Sequence, residues 1–423
     1  MTNATHNKLS RLVLANMMFE DQFYMDGVSN HELLKQTVAK SDPKFVQALA
    51  NEARNTFNLR HVPLALLREL ARVGRLEAKA LTDVISRPDE LGEFIAHYWK
   101  DGKQPLSGAV KRGLAGAFQK FNEYQFAKWD KNSASVRVRD VMFMTHPKPT
   151  SLEQTALFKK IADDALETPD TWETQLSGGA DKRETFTRLM RENKLGALAF
   201  LRNLRNMHEA GVARGLIEAY STTVNVSKVL PFRFIAAYRV VPQFRAMLEA
   251  MMFRSLAEAP NLAGETHLLV DVSGSMFGTK VSKKSDLDRY DAAVALAILA
   301  REICENATIW SFSDKLVRIS SNLRGFDLVD AIKSSQRNSG TATGSAVQLL
   351  KKHLGNKRVR TIIFTDEQAN DRYGSSIPVP QGLGYVVNVG SYDCGITTNA
   401  WHNVTGFSEA VLDYIREYEK LDT

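Results

Sequence analysis

Cysteine is nearly absent from this chain. Its 423 residues include two, Cys304 and Cys394. That is too few for a disulfide framework, and the expected setting is reducing and cytoplasmic. No Cys/His cluster has the spacing of a zinc site. Long apolar runs are missing too. The stretch from Ala292 to Ala300 is nine residues, against about 20 for a membrane-crossing helix, so no membrane partner is expected. The opening Met1-Thr2-Asn3-Ala4-Thr5-His6 lacks the basic and apolar regions of a signal peptide. There is no low-complexity linker, so the domains are expected to pack directly on one another.

The residues that remain make an ordinary globular composition, 44% hydrophobic and 24% charged, with enough chain for two or three domains. The net charge of +7 is unevenly spread. Residues 101–150 hold nine Lys/Arg against four Asp/Glu, and residues 201–250 hold seven against three. The rest of the chain sums to −2. Two basic stretches in a balanced background are the electrostatic footprint expected for a polyanion.

From residue 8 to about 259 apolar residues recur at helical spacing. Predicted helices are His31–Lys40, Pro43–Phe57, Pro63–Val73, Asp89–Trp99, Ser107–Trp129, Leu152–Ala162, Lys182–Arg191, Gly196–Asn206, Val212–Tyr220 and Pro242–Ala259. Ser, Asp and Pro mark several starts. Helix after helix with short connectors predicts stacked antiparallel pairs, a HEAT-like α-solenoid. The period changes around Asn261-Leu262-Ala263-Gly264. Strands at 267–272, 307–313, 359–365 and 383–390 then alternate with helices at 289–305, 326–335, 344–354 and 407–420, which predicts a doubly wound α/β domain. The predicted domains are 1–262 and 263–423. The polar loop Gly278–Asp288, with Lys280, Lys283 and Lys284, is expected to be mobile.

The α/β part carries the most informative motif. His267-Leu268-Leu269-Val270 reads as a buried strand ending in Asp271-Val272-Ser273-Gly274-Ser275. Alternate side chains point the same way, so Asp271, Ser273 and Ser275 converge. Gly340-Thr341-Ala342-Thr343-Gly344 adds a hydroxyl at the start of a helix, and Thr361-Ile362-Ile363-Phe364-Thr365-Asp366 a second carboxylate at a strand end. Hard oxygen donors at strand carboxyl ends suit Mg²⁺, with Mn²⁺ the alternative. Asp271, Ser273, Ser275, Thr341 and Asp366 are the candidate ligands. Thr341 is preferred over Thr343 because it directly follows a glycine. The pattern resembles a von Willebrand factor A domain with its metal-ion-dependent adhesion site (MIDAS). Such a site binds more than it catalyses. Neutral hydroxyls leave the ion electrophilic, so an outside acidic group can complete its shell, and no His or Lys stands beside the motif as a general base.

Residues 105–149 contain Pro105-Leu106-Ser107, Val110-Lys111-Arg112-Gly113-Leu114-Ala115, Ala127-Lys128-Trp129 and Val138-Arg139-Asp140-Val141-Met142-Phe143-Met144-Thr145-His146-Pro147-Lys148-Pro149. This stretch resembles the TROVE module of the Ro ribonucleoprotein autoantigens and their bacterial relatives. The adhesion-type domain behind it extends the resemblance over nearly the whole chain. The resemblance implies a ring of helical repeats closed by the A domain. It also implies a non-enzymatic protein of RNA quality control that acts as a monomer. The implied RNAs are small non-coding Y-like RNAs on an outer basic surface and misfolded RNAs whose single-stranded 3′ ends enter the hole. An exoribonuclease or another protein is the implied ligand of the metal site. Matching the family's RNA-contacting region points to Lys128, Lys131 and His146. Charge adds Lys111, Arg112, Lys120, Arg137 and Arg139. Arg202, Asn203 and Arg205 sit at helical spacing suited to a ring's inner wall, with hydrogen bonding between repeats as their other reading. Among the interleaved aromatics, Phe121, Tyr124, Phe126 and Trp129 either stack bases or fill the helix core. The family's Gly-rich segment and tyrosine pair appear here only as Glu20 to Gly27, with Phe23-Tyr24. Two other functions fit parts of the pattern. A protein-interaction scaffold that grips acidic partners through Mg²⁺ predicts no RNA binding. A metal-dependent nuclease would need a second ion that Asp271 and Asp366, sharing one, do not provide.

Overall fold

A computed structural model describes residues 9–10, 13, 27–280, 287–368, 371–373, 376–390, 400–405 and 411–421. The segment Glu20 to Asp26, the loop lysines Lys283 and Lys284, and Cys394 lie outside the described residues. The chain forms two compact units, one holding Asp26–Gln175 and the other Leu176–Thr423.

The first unit is helical. Its elements are α1 (Gly27–Lys40), α2 (Pro43–Asn55), α3 (His61–Arg72), α4 (Ala78–Val84), α5 (Asp89–Tyr98), α6 (Gly108–Ala117), α7 (Glu123–Trp129), α8 (Val138–Thr145) and α9 (Leu152–Ala162), followed by α10 (Trp172–Ser177) at the boundary. Each helix tends to pack on the helix two places along: α1 on α3, α2 on α4, α3 on α5, α4 on α6 and α6 on α8. That is how stacked helix pairs bury amphipathic faces that no single pair could cover. α3 shows the load, with Val62 through Ala71 buried without a break.

The expected single helix Ser107–Trp129 is broken in two. Phe118–Lys120 forms a 3₁₀ turn, Phe121 is extended, and Asn122 starts a new helix. The cause is a reciprocal cap. Asn122 Oδ1 accepts from the Gln125 N–H at 2.9 Å and Gln125 Oε1 accepts from the Asn122 N–H at 3.0 Å. Such a box outcompetes helix continuation. α8 was not among the predicted helices. It starts because Asp140 accepts the Arg137 N–H at 2.8 Å, and Asp130 accepts the Val138 N–H at 3.1 Å.

The second unit carries five more helices, α11 (Lys182–Arg191), α12 (Ala197–Glu209), α13 (Arg214–Thr223), α14 (Pro231–Val240) and α15 (Arg245–Leu256). Behind them come β1 (Leu262–Asp271), α16 (Arg289–Ile303), β2 (Cys304–Phe312), β3 (Leu316–Arg318), α17 (Gly325–Ser334), α18 (Thr343–Leu354), β4 (Val359–Thr365), β5 (Gly382–Asn388), β6 (His402–Thr405) and α19 (Val411–Leu421). The sheet order is β3-β2-β1-β4-β5-β6, parallel except for the β2–β3 pair. The short β3 and β6 sit at the edges and carry no pattern long enough to read from sequence.

Packing on the helix two places along continues across the change of secondary structure. α12 packs on α14, α13 on α15, α14 on α16 and α15 on α17. The contacts between helices and the α/β part are specific. Tyr238 stacks on Phe326 at 4.5 Å, Glu249 accepts the Phe326 N–H at 2.8 Å, and Arg239 pairs with Asp291. α16 lies under these helices and also against β1 and β4. It is buried on every face, which explains the apolar run Ala292–Ala300: a helix covered all round needs no polar stripe. β4 is buried along its whole length and β1 over its second half, as expected of strands covered on both faces.

Candidate functional site

Two places gather the candidate residues. The first is the carboxyl end of the central strands. β1 and β4 run parallel with Val270 opposite Phe364, so Asp271 and Thr365 leave the sheet side by side. Thr365 Oγ1 donates to Asp271 Oδ2 at 2.6 Å, and the Ser273 N–H donates to Asp271 Oδ1 at 2.8 Å. The hydroxyls of Ser273 and Ser275 lie 3.2 Å apart. Asp271, Ser273 and Asp366 are all but fully buried, and Ser275 is half-buried. Glu367 follows Asp366 in the left-handed region, φ 59°, and its N–H donates back to Thr365 Oγ1 at 3.1 Å. A charged non-glycine residue held in that region beside a polar cluster is a local strain of the kind functional sites tolerate.

The loop with the two threonines is laced to this end of the sheet. The Ser313 hydroxyl donates to the Gly340 carbonyl at 2.7 Å and accepts from the Ser339 N–H at 3.1 Å. The Ala342 N–H donates to the Ser313 carbonyl at 2.9 Å, and the Gly274 N–H to the Ser339 carbonyl at 3.3 Å. Thr341 and Thr343 are therefore both buried here, and Thr343 opens α18. Of the two, Thr343 is the one whose buried Oγ1 has no hydrogen-bond partner among the described residues.

Burial pushes the Asp271 carboxyl up to about 7, and the charge of Asp366 adds to it, while the Thr365 and Ser273 hydrogen bonds work against the rise. Among the described residues no three His, Cys, Asp or Glu side chains cluster as a metal site. The donor set is two carboxylates and up to four hydroxyls, all oxygen. With an orphaned hydroxyl and a buried carboxylate facing only hydroxyl and amide partners, it fits a hard divalent cation. One neighbour went unforeseen. Arg289, 5% exposed, places Nη1 2.7 Å from Asp366 Oδ2. Its sequence position, just after a helix N-cap, carries no sign of that role.

The second place is the surface of α7 and α8 in the first unit. Lys128 and Lys131 are exposed. Lys128 Nζ lies 5.6 Å from the Tyr124 ring and 5.7 Å from the Trp129 ring. One helix on, Arg139 lies 5.6 Å over Phe143. Tyr124 and Phe143 are 43% and 51% exposed, whereas Phe121 and Phe126 are core. Phe143 was not among the aromatics singled out. Its signal was available: an aromatic one helical turn after an arginine, on the side of the helix away from the buried Val138, Val141 and Met142. His146 caps α8 in the left-handed region, φ 48°, with an exposed ring. Arg87 lies 3.8 Å over the Trp129 ring, and both line a cavity of about 410 Å³ that Lys131 also borders.

The other candidates divide. Lys111 and Arg112 are exposed on α6. Lys120 commits its ammonium to the carbonyls of Thr82 (2.9 Å), Asp83 (3.2 Å) and Ile85 at the end of α4, and burial lowers its pKa. Arg137 clamps Asp130 at 2.8 Å and Asp164 at 2.7 Å, and these bonds raise its pKa. In the second unit Arg202 and Arg205 are exposed on α12. Asn203 is 2% exposed and bonds within its own helix, to the Ala199 carbonyl at 2.9 Å and the Asn206 amide at 3.0 Å.

Comparison with known proteins fits this arrangement. Residues 163–298 match the TROVE domain, and residues 266–368 match the von Willebrand factor type A domain. The first match starts downstream of residues 105–149, the stretch that carried the resemblance, and runs over α16. No curated protein matches the sequence. Among solved structures, the Ro (RSR) protein of Deinococcus radiodurans is similar, with 16% identity and a TM-score of 0.69, covering 99% of this chain and 100% of that one. The chain thus carries a match to the TROVE domain running into a match to the von Willebrand factor type A domain, on a fold similar end to end to that of a Ro protein.

Proposed function

We propose that this chain is a non-enzymatic RNA-binding protein that takes small non-coding, Y-like RNAs and the single-stranded 3′ ends of misfolded RNAs, in RNA quality control or turnover. The observation that carries the reading is the pair of exposed cation–aromatic couples on α7 and α8, Lys128 with Tyr124 and Arg139 with Phe143. An exposed ring stacks on any unpaired base, and the neighbouring cation neutralises a phosphate. Lys111, Arg112, Lys131 and His146 extend the surface. The TROVE-domain match and the fold similarity to a Ro protein support the same reading.

The residues that would hold Mg²⁺ or Mn²⁺ are Asp271, Ser273, Ser275, Asp366 and one of Thr341 and Thr343. When bound, the ion supplies open coordination positions for an acidic group of a protein partner such as an exoribonuclease. The chain's own residues orient the donors: Thr365 holds Asp271, and Ser313 and Gly274 hold the threonine loop.

The test is an anisotropy titration at two salt concentrations. It compares a structured RNA bearing a 3′ single-stranded tail with the same RNA made blunt. The expected result is binding that needs the tail and weakens with salt, by a slope near 0.7 for each phosphate neutralised on single strands. No binding to either RNA would leave the Mg²⁺-dependent protein scaffold as the better reading.

A further inference from the structure

We propose that Arg289 is a built-in cation of the metal centre, competing with the divalent ion for Asp366 and so setting how tightly the centre holds it. The inference rests on reading Asp271, Ser273, Ser275, the threonine loop and Asp366 as that centre. Three observations carry it. The guanidinium is held close, with Nη1 2.7 Å from Asp366 Oδ2. Both partners are buried, Arg289 at 5% exposure and Asp366 at 0%, so water screens neither. Arg289 also has little freedom to leave, because it is the first residue of α16, behind the N-cap Asp288, whose carboxylate accepts the Asp291 N–H at 2.9 Å.

The sum of charges gives the consequence. An arginine stays protonated at any pH the protein survives. Among the candidate ligands and Arg289, the centre therefore holds two carboxylates and one permanent cation. Adding a divalent ion leaves it at +1, whereas without Arg289 the same ion would bring it to zero. The wild-type centre carries a surplus positive charge once its ion is bound, and an anionic group from outside relieves that surplus. Arg289 thus weakens binding of the bare ion and favours binding of the ion together with a carboxylate or phosphate ligand. Coordination through Asp366 Oδ2 also requires that oxygen to give up a charge-assisted hydrogen bond.

The experiment uses the full chain and Mn²⁺ alone, with bound ion followed by loss of the free-Mn²⁺ electron paramagnetic resonance signal. Arg289→Gln keeps a hydrogen-bond donor but no charge, and is expected to bind Mn²⁺ at least tenfold tighter than wild type. Arg289→Lys keeps the charge and is expected within about threefold of wild type. In an Asp366→Asn background, Arg289→Gln is expected to bring a smaller gain, because the hydrogen bond to Asp366 no longer has to be broken and only the charge of Arg289 still opposes the ion. Equal or weaker Mn²⁺ binding by Arg289→Gln, with circular dichroism and melting matching wild type, would overturn the proposal. So would a gain that is as large in the Asp366→Asn background. If Arg289→Gln does not fold, Arg289→Met, with an unbranched uncharged stem, makes the same comparison. If neither wild type nor any variant binds Mn²⁺, the metal-centre reading itself fails and takes this inference with it. Tight wild-type binding that Arg289→Gln leaves unchanged sinks the inference alone.

Discussion

The candidate metal centre and the α7–α8 surface are built on opposite plans. At the sheet end, residues from four separate stretches of chain meet in a buried cluster. Among the described residues most of the candidate donors there are partnered, so the Thr343 hydroxyl and the unforeseen arginine stand out. On α7 and α8 the candidates come from a single stretch of about twenty residues, and most stay in solvent. Charge alone overcounts such a surface. Lys120 and Arg137 look like phosphate ligands in the sequence, yet one caps a helix and the other clamps two carboxylates. In a buried site the question is what each group lacks; on an exposed one it is which groups still face water.

The largest effect that would sharpen this contrast is at the centre. Asp271→Ala is expected to cut Mn²⁺ affinity by roughly 100-fold or more, since losing even an outer partner of a metal ligand costs about 10–100-fold. RNA affinity should stay within about twofold, by the same anisotropy assay. A collapse of RNA binding in a variant with normal helicity would show that the two places are not independent. Next comes the surface. Lys128→Ala combined with Phe143→Ala should weaken binding of tailed RNA by about tenfold or more, given roughly 1–3 kcal/mol per stacked base. It should also make the salt dependence shallower by about 0.7 in slope, because one phosphate is no longer neutralised. Unchanged affinity at both salt concentrations would remove α7 and α8 from the interface.

A smaller effect separates cations already engaged within the fold from those left to solvent. Lys120→Met should lower stability by roughly 1–2 kcal/mol, because three carbonyls at the end of α4 lose a charged donor. RNA affinity should hold, measured alongside the denaturation midpoint. A loss of RNA binding without a loss of stability would return Lys120 to the surface. The smallest effect is a pH dependence in the first unit. Burial, then the charge of Arg60, holds His61 down at about 4 against an ordinary 6.5. As pH falls, the unfolded chain takes up the proton first. The contribution of His61 is therefore complete above about 6.5 and declines as pH drops toward 4. His61→Gln should flatten that part of the melting-temperature profile, and an identical profile would assign the decline to other groups.

Much of the α/β part was legible because buried parallel strands and the helices between them write long, distinct patterns. The ends of β4, α17 and α18 fall within a residue or so of expectation. The candidate ligands were legible for a related reason: they sit at strand ends, where the pattern stops. What escaped was decided by short-range competition or distant pairing. The break at Asn122 depends on one reciprocal cap winning over helix continuation. The edge strands β3 and β6 are three and four residues long and exist only because neighbours offer them hydrogen bonds. Asn203 reads as polar at helical spacing, but its burial depends on what packs over α12.

By itself the sequence determined the succession of helices, the turn to an α/β domain near residue 262, and the order of oxygen donors along the chain. Local propensity and periodicity carry all three, and none needs a distant partner. Only the tertiary structure decided that α14 and α15 stack directly onto α16 and α17, that Thr343 Oγ1 is buried with no partner among the described residues, and that Arg289 reaches Asp366 across 77 positions of chain. The physical reason is that burial and charge pairing belong to the neighbours a residue acquires on folding, and sequence spacing does not specify those neighbours.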